Sequence, residues 1–199
     1  MSDALYAFPL PTSMPHLPQD RRRRLCAWLL RRCGWHVRGE FPNVPKLVLI
    51  AAPHSSWWDG VWGLLVKVAI GAEIAFMGKR ELFRGPLGWL LRKLGGIPIE
   101  RSAAHGVVEQ MVLRFADAER LWLGIAPEGT RQRVAKWKTG FWHIARDARV
   151  PIFPIAFDYA TRSIVLGPLL EPSDDLDGDL ATLREWYLPF RGKYRNVDA

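Results

Sequence analysis

Residues 46–52 read Lys-Leu-Val-Leu-Ile-Ala-Ala, seven positions with one charge, at the first. A strand without polar alternation has no face to turn to water. It belongs inside a sheet covered on both sides, and such sheets are built from parallel strands joined by helical crossovers. Further strand patterns fall at 35–38, 74–77, 97–100, 121–126, 151–158 and 163–166. Helical patterns lie between or after them at about 57–70, 85–94, 104–120, 139–148 and 179–188. This alternation predicts an α/β fold: a single-domain sandwich with a largely parallel central sheet flanked by helices. Pro86 suits a first helical turn, Gly95-Gly96 stops that helix, and Ser55 or Ser56 precedes the 57–70 helix as its cap. A chain of 199 residues is long enough for one domain with a substantial core.

Residues 1–34 read differently from 35–199. The first 19 are Pro-rich and form an arm. Residues 21–34, RRRRLCAWLLRRCG, predict a short amphipathic N-terminal helix ended by Gly34. On a helical wheel Leu25, Cys26, Leu29, Leu30 and Cys33 share one arc, with Arg21, Arg24, Arg31 and Arg32 opposite. The functional expectation is a helix in the headgroup layer, its arginines toward anionic lipid and Trp28 inserted. The structural alternative is a helix capping the core. The first 101 residues hold fifteen Lys and Arg against seven Asp and Glu, whereas the remainder balances at thirteen of each. A basic half of this kind attracts anionic lipid, a phosphorylated cofactor, an acidic carrier protein or nucleic acid, and charge alone does not choose among them. No secretory leader is read at the start. The longest apolar tract, 57–76, is broken by Asp59, Lys67 and Glu73, so membrane contact is expected to be peripheral. Cys26 and Cys33 are too far apart along a helix to pair and read as thiols of a reducing compartment.

In parallel sheets, sites form where loops leave the carboxyl ends of strands. Two polar clusters fall at such places: His54 to Asp59 after strand 46–52, and Glu128 to Arg131 after strand 121–126. On one regular helix His54 and Asp59 would point roughly 140° apart. They meet only if His54 lies in the turn before the helix and Asp59 in its first turn. Imidazole is a good base for a hydroxyl nucleophile, and a carboxylate on its other nitrogen fixes the tautomer and stabilises the imidazolium. The nucleophile would then belong to the substrate, in keeping with a chain that has no Gly-x-Ser-x-Gly. The plainer alternative is an Asp serving its helix dipole beside an unrelated His. In the second cluster Gly129 permits a tight turn, a carboxylate can bind a hydroxyl, and a guanidinium takes phosphate through two hydrogen bonds. Its plainer alternative is a polar turn with a local Glu–Arg pair. His36, His105 and His143 have no paired metal-ligand spacing, and no metal is expected.

Four ordered blocks then carry a resemblance. His54-Ser-Ser-Trp-Trp-Asp59 matches H-x4-D. Residues 95–101, Gly-Gly-Ile-Pro-Ile-Glu-Arg, loosely match a G-x-I-x-I-x-R stretch. Pro127–Arg131 matches P-E-G-T-R in full, and residues 150–154 match V-P-I-x-P. Lys138-Thr-Gly140 supplies a further Lys-x-Gly. With these, residues 35–168 resemble the 1-acylglycerol-3-phosphate (lysophosphatidic acid) acyltransferases of the glycerolipid acyltransferase superfamily, which makes 35–199 an acyltransferase domain.

The resemblance implies an O-acyltransferase that moves a fatty acyl group from acyl-CoA or acyl-carrier protein to the free hydroxyl of a lysophospholipid, 1-acylglycerol-3-phosphate first, in phospholipid biosynthesis. It implies His54 as base and Asp59 as its orienting partner. Arg101 and Arg131 would bind the acceptor phosphate, Glu128, Gly129 and Thr130 would bind and position the acceptor, and Pro151 and Pro154 would shape the acyl-donor side. For the prolines the alternative is an edge strand. No cofactor beyond the donor is implied, and the expected place is cytoplasmic, peripherally bound to the inner face of the membrane. A loop amide near His54 is expected to hold the oxyanion. Pro53 stands where the family usually has Asn, Ala126 where it often has an aromatic residue, and no membrane-spanning anchor is read in the N-terminal part. The rivals are a different acceptor, such as a lyso-aminolipid, and a non-catalytic basic module for membrane or nucleic acid. No nucleic-acid motif appears, so nucleic acid is not expected as a partner.

Overall fold

The computed structural model describes residues 10–17, 21–99, 104–134 and 136–197. Within them seven strands form one sheet in the order β1-β7-β6-β2-β5-β3-β4. These are β1 (His36–Arg38), β2 (Lys46–Ala52), β3 (Ile74–Lys79), β4 (Gly96–Ile99), β5 (Leu121–Ile125), β6 (Ile152–Asp158) and β7 (Ser163–Leu166). All neighbouring pairs are parallel except β6–β7. The helices are α1 (Arg21–Arg32), α2 (Trp57–Ile70), α3 (Gly85–Lys93), α4 (Ala104–Asp117), α5 (Gly140–Ala148) and α6 (Leu176–Tyr187), with a 3-10 turn at Arg80–Phe83. The predicted α/β sandwich is the fold. Apolar β2 lies between β5 and β6, and Leu47 and Leu49 face one core while Val48 and Ile50 face the other. The first core is closed by α1 and α2. The second is closed by α4, α5 and α6, through Met111, Phe115, Phe141, Trp142, Leu183 and Tyr187. Tyr187 is wholly buried and donates its hydroxyl to the Ile50 carbonyl at 2.8 Å.

Three local readings change. First, the apolar arc of α1 is divided between core and surface. Ala27 and Leu30 are its buried residues, whereas Leu25 and Trp28 are 57% and 50% exposed. The cause is Arg23, which reaches the end of α2 and donates to the carbonyls of Ile70 (2.6 Å) and Ala69 (3.4 Å). The C-terminal carbonyls of a helix lack intrahelical donors and carry partial negative charge, so a guanidinium there is favoured. The row 23-27-30 therefore faces α2. Second, β6 is internal and not an edge strand. Pro154 fits there because its missing donor falls where the ladder to β7 is interrupted. Ile152 exchanges hydrogen bonds with Leu170, Gly167 donates to the Pro154 carbonyl, and regular pairing with β7 begins only at Ile155. Third, α6 starts at Leu176, earlier than expected, because the Asp175 side chain accepts from Gly178 N–H and caps it.

Lys67 on α2 lies among apolar groups, 9% exposed, and donates its ammonium to the Leu94 carbonyl. Burial lowers its pKa from 10.5 to about 8, against the opposing charge of Glu73. Below pH 8 folded and unfolded chains both carry the proton, and the folded one bears the full cost of the buried charge. Between 8 and 10.5 the unfolded chain binds more protons, so stability rises with pH. Lys67→Met should accordingly be more stable relative to wild type at pH 7 than at pH 10. Urea midpoints of both proteins at the two pH values check this, and a difference that does not change with pH would contradict it.

Candidate active site

The carboxyl ends of β2, β5 and β6 bring three loops together. After Ala52 the chain passes through Pro53, His54 and Ser55 into α2, whose start is a capping box. Ser56 is the cap and accepts Trp58 N–H on its hydroxyl, and Asp59 reaches back as the third helical residue. Asp59 is fully buried. Its Oδ2 accepts the amides of Ser55 and Ser56, both at 2.7 Å, and lies 3.4 Å from His54 Nδ1. That is looser than a full hydrogen bond, as catalytic pairs without substrate often are. His54 retains 26% of its side-chain exposure, so its ring faces outward while its partner is sealed in. The dyad geometry the spacing demanded is therefore present, with His54 in the turn and Asp59 in the first helical turn.

The remaining oxygen of Asp59 has a partner that no motif announced. Tyr159, one residue past β6, donates its hydroxyl to Asp59 Oδ1 at 2.6 Å. Burial, with the hydrogen bond and charge of Asp59, raises the Tyr159 pKa, so the phenol keeps its proton and stays a donor well above neutral pH. Trp35 stacks on Trp62 (4.9 Å) and meets Tyr159 edge-on (5.0 Å). The only sequence signal would have been a Tyr at the carboxyl end of a strand, a place where site residues collect.

The second loop pins the first. Glu128 Oε2 accepts the backbone N–H of His54 at 2.9 Å. Glu128 is 5% exposed, and burial raises its pKa above the ordinary value, partly offset by the His54 amide and the charges of His54 and Arg195. The local Glu–Arg pair is thus replaced by a link between the two clusters. Gly129 has φ +64, and a Cβ there would lie 3.0 Å from Lys138 Cδ, so the turn favours glycine and the Lys-x-Gly segment packs along it. Thr130 Oγ1 accepts Gln132 N–H at 3.3 Å and folds the same loop. The Arg131 guanidinium lies 3.5 Å over the ring of Trp57, at the head of the His54 helix.

Other expectations fare differently. Arg101 lies outside the described residues. Pro151 precedes β6 at the opposite end of the sheet from His54, and Pro154, level with Ile50, is buried mid-strand. Neither is brought to the dyad. The amides of His54, Ser55 and Ser56 are each held by Glu128 or Asp59, which removes these three as oxyanion donors. Chemically, the cluster offers an outward imidazole backed by a carboxylate, with a guanidinium on the adjoining loop, the parts needed to deprotonate a hydroxyl on an anionic molecule.

The family model for acyltransferases matches residues 36–158. The 1-acyl-sn-glycerol-3-phosphate acyltransferase of Streptococcus pneumoniae is 28% identical over 124 residues, 62% of this chain and 46% of that protein. The enzyme of the same name from Escherichia coli is 35% identical over 100 residues, 47% of this chain and 40% of that one. This chain thus spans less than half the length of these two relatives. The crystal structure of the 1-acyl-sn-glycerophosphate (LPA) acyltransferase PlsC from Thermotoga maritima has the same fold, with a TM-score of 0.58 at 20% identity over 85% of this chain and 80% of that one. Since the family match takes in every strand but β7 and both polar loops, the chain belongs to the acyltransferase family.

Proposed function

We propose that this protein transfers a fatty acyl group from a thioester donor, acyl-CoA or acyl-carrier protein, to the free hydroxyl of 1-acylglycerol-3-phosphate. The observation that carries the reading is an outward His54 ring 3.4 Å from a sealed Asp59, in a loop pinned to the Glu128–Arg131 loop. The names of the relatives supply the acceptor. Arg131 holds the acceptor's phosphate and brings its hydroxyl to His54. The imidazole removes the hydroxyl proton as oxygen attacks the thioester carbonyl, and the carbonyl electrons move onto oxygen. Collapse of the tetrahedral intermediate breaks the carbon–sulfur bond, and the departing thiolate takes the proton from the imidazolium. Asp59 orients the ring and stabilises its charged form. Tyr159 is a positioning residue that holds Asp59 by its second oxygen.

The reaction takes place at a membrane surface of anionic lipid, which the protein meets from the cytoplasmic, inner side. Leu25 and Trp28 on α1 are exposed beside its arginines, and Trp57, Trp58 and Val61 are exposed on the first turns of α2. No helix among the described residues is long and apolar enough to cross a membrane. Each Lys or Arg near an anionic surface adds about 1 kcal/mol of attraction, so several suffice for reversible docking.

The test is an assay of labelled acyl thioesters against a panel of lysophospholipids and lyso-aminolipids, read by mass spectrometry. Acyl transfer to 1-acylglycerol-3-phosphate is expected, and His54→Ala should lower turnover at least about 100-fold with an unchanged melting temperature. Near-normal turnover in that variant rejects the base, and transfer only to another lipid corrects the acceptor. Arg131→Ala should raise the acceptor KM more than the donor KM. The reverse pattern would move this arginine to the donor. Tyr159→Phe should lower kcat about tenfold, the worth of one hydrogen bond to a charged group. Both KM values should stay near those of the wild type, as expected for a residue that acts through Asp59. A melting temperature that falls together with kcat would leave Tyr159 a packing residue only.

A further inference from the structure

The family match ends at Asp158, yet the segment after α6 returns to the site. Arg191 fixes its beginning to the end of β6: its N–H donates to Asp158 Oδ1 at 3.2 Å, and its carbonyl accepts Tyr159 N–H at 2.8 Å. At Gly192 the chain turns so tightly that a Cβ would strike the Arg195 carbonyl and lie 3.0 Å from both Pro53 Cβ and Ser55 Oγ. Tyr194 N–H donates to Ser55 Oγ at 3.2 Å, and Lys193 Nζ stands 5.0 Å over the ring of Trp58. Arg195 then donates from Nη2 to the Arg131 carbonyl, and the buried side chain of Val197 anchors the end in the second core. One short segment thus touches the His54 loop, the first turn of α2 and the Glu128–Arg131 loop.

The segment also lines a narrow surface cleft, with room inside for little more than one water. Glu128, Arg133, Arg184 and Arg195 line it together with Trp137, which puts three guanidinium groups beside one carboxylate. Arg195 is half-buried and fixed by the Arg131 carbonyl, so its fork is oriented before any ligand arrives. Of five N–H donors that carbonyl takes one. An oriented guanidinium with donors to spare beside a second one is chemistry suited to a phosphate group.

We propose that residues 191–197 are part of the acyl-transfer site and that Arg195, held on the backbone of the Glu128–Arg131 loop, is a phosphate-binding residue in it for an anionic substrate. The proposal rests on the acyltransferase reading and adds to it a residue beyond the family match. The phosphate comes either from the lysophospholipid headgroup or from the coenzyme of the thioester donor, and the two sources present the same chemistry.

The experiment is calorimetric binding of two probes, glycerol 3-phosphate for the headgroup and coenzyme A for the donor. It compares the full chain with Arg195→Gln and Arg195→Lys, each checked by its melting temperature. Arg195→Gln should weaken one probe about tenfold or more, as loss of a charged hydrogen-bond pair does, and Arg195→Lys should recover part of the loss. The probe that weakens names the source, and the KM of the matching substrate should rise while kcat changes little. Unchanged binding of both probes overturns the proposal. So does a fall in melting temperature and kcat together with both affinities kept, which marks the segment as a brace only. Because binding is read without turnover, weakened binding in a protein that transfers no acyl group would uphold Arg195 and reject the acyltransferase reading instead.

Discussion

The carboxylate of Asp59 is the interaction on which the loops at the carboxyl end of the sheet depend. A lone buried carboxylate costs several kcal/mol, and it persists only where donors surround it. Here two backbone amides and the Tyr159 hydroxyl donate to it, and the His54 ring stands beside it. The same side chain closes the capping box of α2. Helix start and dyad are therefore one structure: a helix beginning a residue earlier or later would uncap itself and part the imidazole from its carboxylate. This explains a separation of five residues that would fail along a regular helix and works across a helix boundary.

The first turn of α2 organises what lies outside the dyad as well. Asp59 points inward, while Trp57 and Trp58 point out and receive cations from two other loops, Arg131 over Trp57 and Lys193 over Trp58. From Trp58 a row of rings runs inward through Trp62 at 5.7 Å and Trp35 at 4.9 Å to Tyr159 at 5.0 Å. Tyr159 returns to Asp59. Several of the ten tryptophans thus serve neither a uniform core nor a uniform membrane face; they join the surface under Arg131 and Lys193 to the carboxylate beside His54.

What the chain revealed in advance depended on the range of the interaction. Strands such as β2, the helix beginning at Trp57, the His54–Asp59 pair and the Glu128–Arg131 loop are set by neighbouring residues, and each was legible. Tyr159 meets a residue 100 positions away and Tyr194 one 139 positions away. No local pattern encodes such meetings; they follow from sheet order, which places β6 beside β2 and leads the chain after α6 back across both. The division of the α1 arc between core and surface has a similar origin, since a wheel weighs apolarity alone and does not register that Arg23 is drawn to the end of α2. The amides near His54 looked available for an oxyanion because their engagement by Glu128 and Asp59 is a tertiary fact.

The two parts of the proposed site are held by different means. His54 and Asp59 are locked by backbone amides and a buried carboxylate, contacts that cannot shift without unfolding the start of α2. The cations that would grip an anionic substrate sit on aromatic faces and a loop carbonyl, Arg131 on Trp57 and Arg195 on the Arg131 carbonyl. Cation–π contacts are tolerant of small displacement, because the attraction is to a whole ring face and not to one atom. The Arg131 guanidinium held this way can shift to meet a phosphate, whereas His54 cannot move away from its carboxylate. In such an arrangement the imidazole and its carboxylate are the fixed parts of the proposed site, and the cations that would meet an anionic acceptor are the adjustable ones.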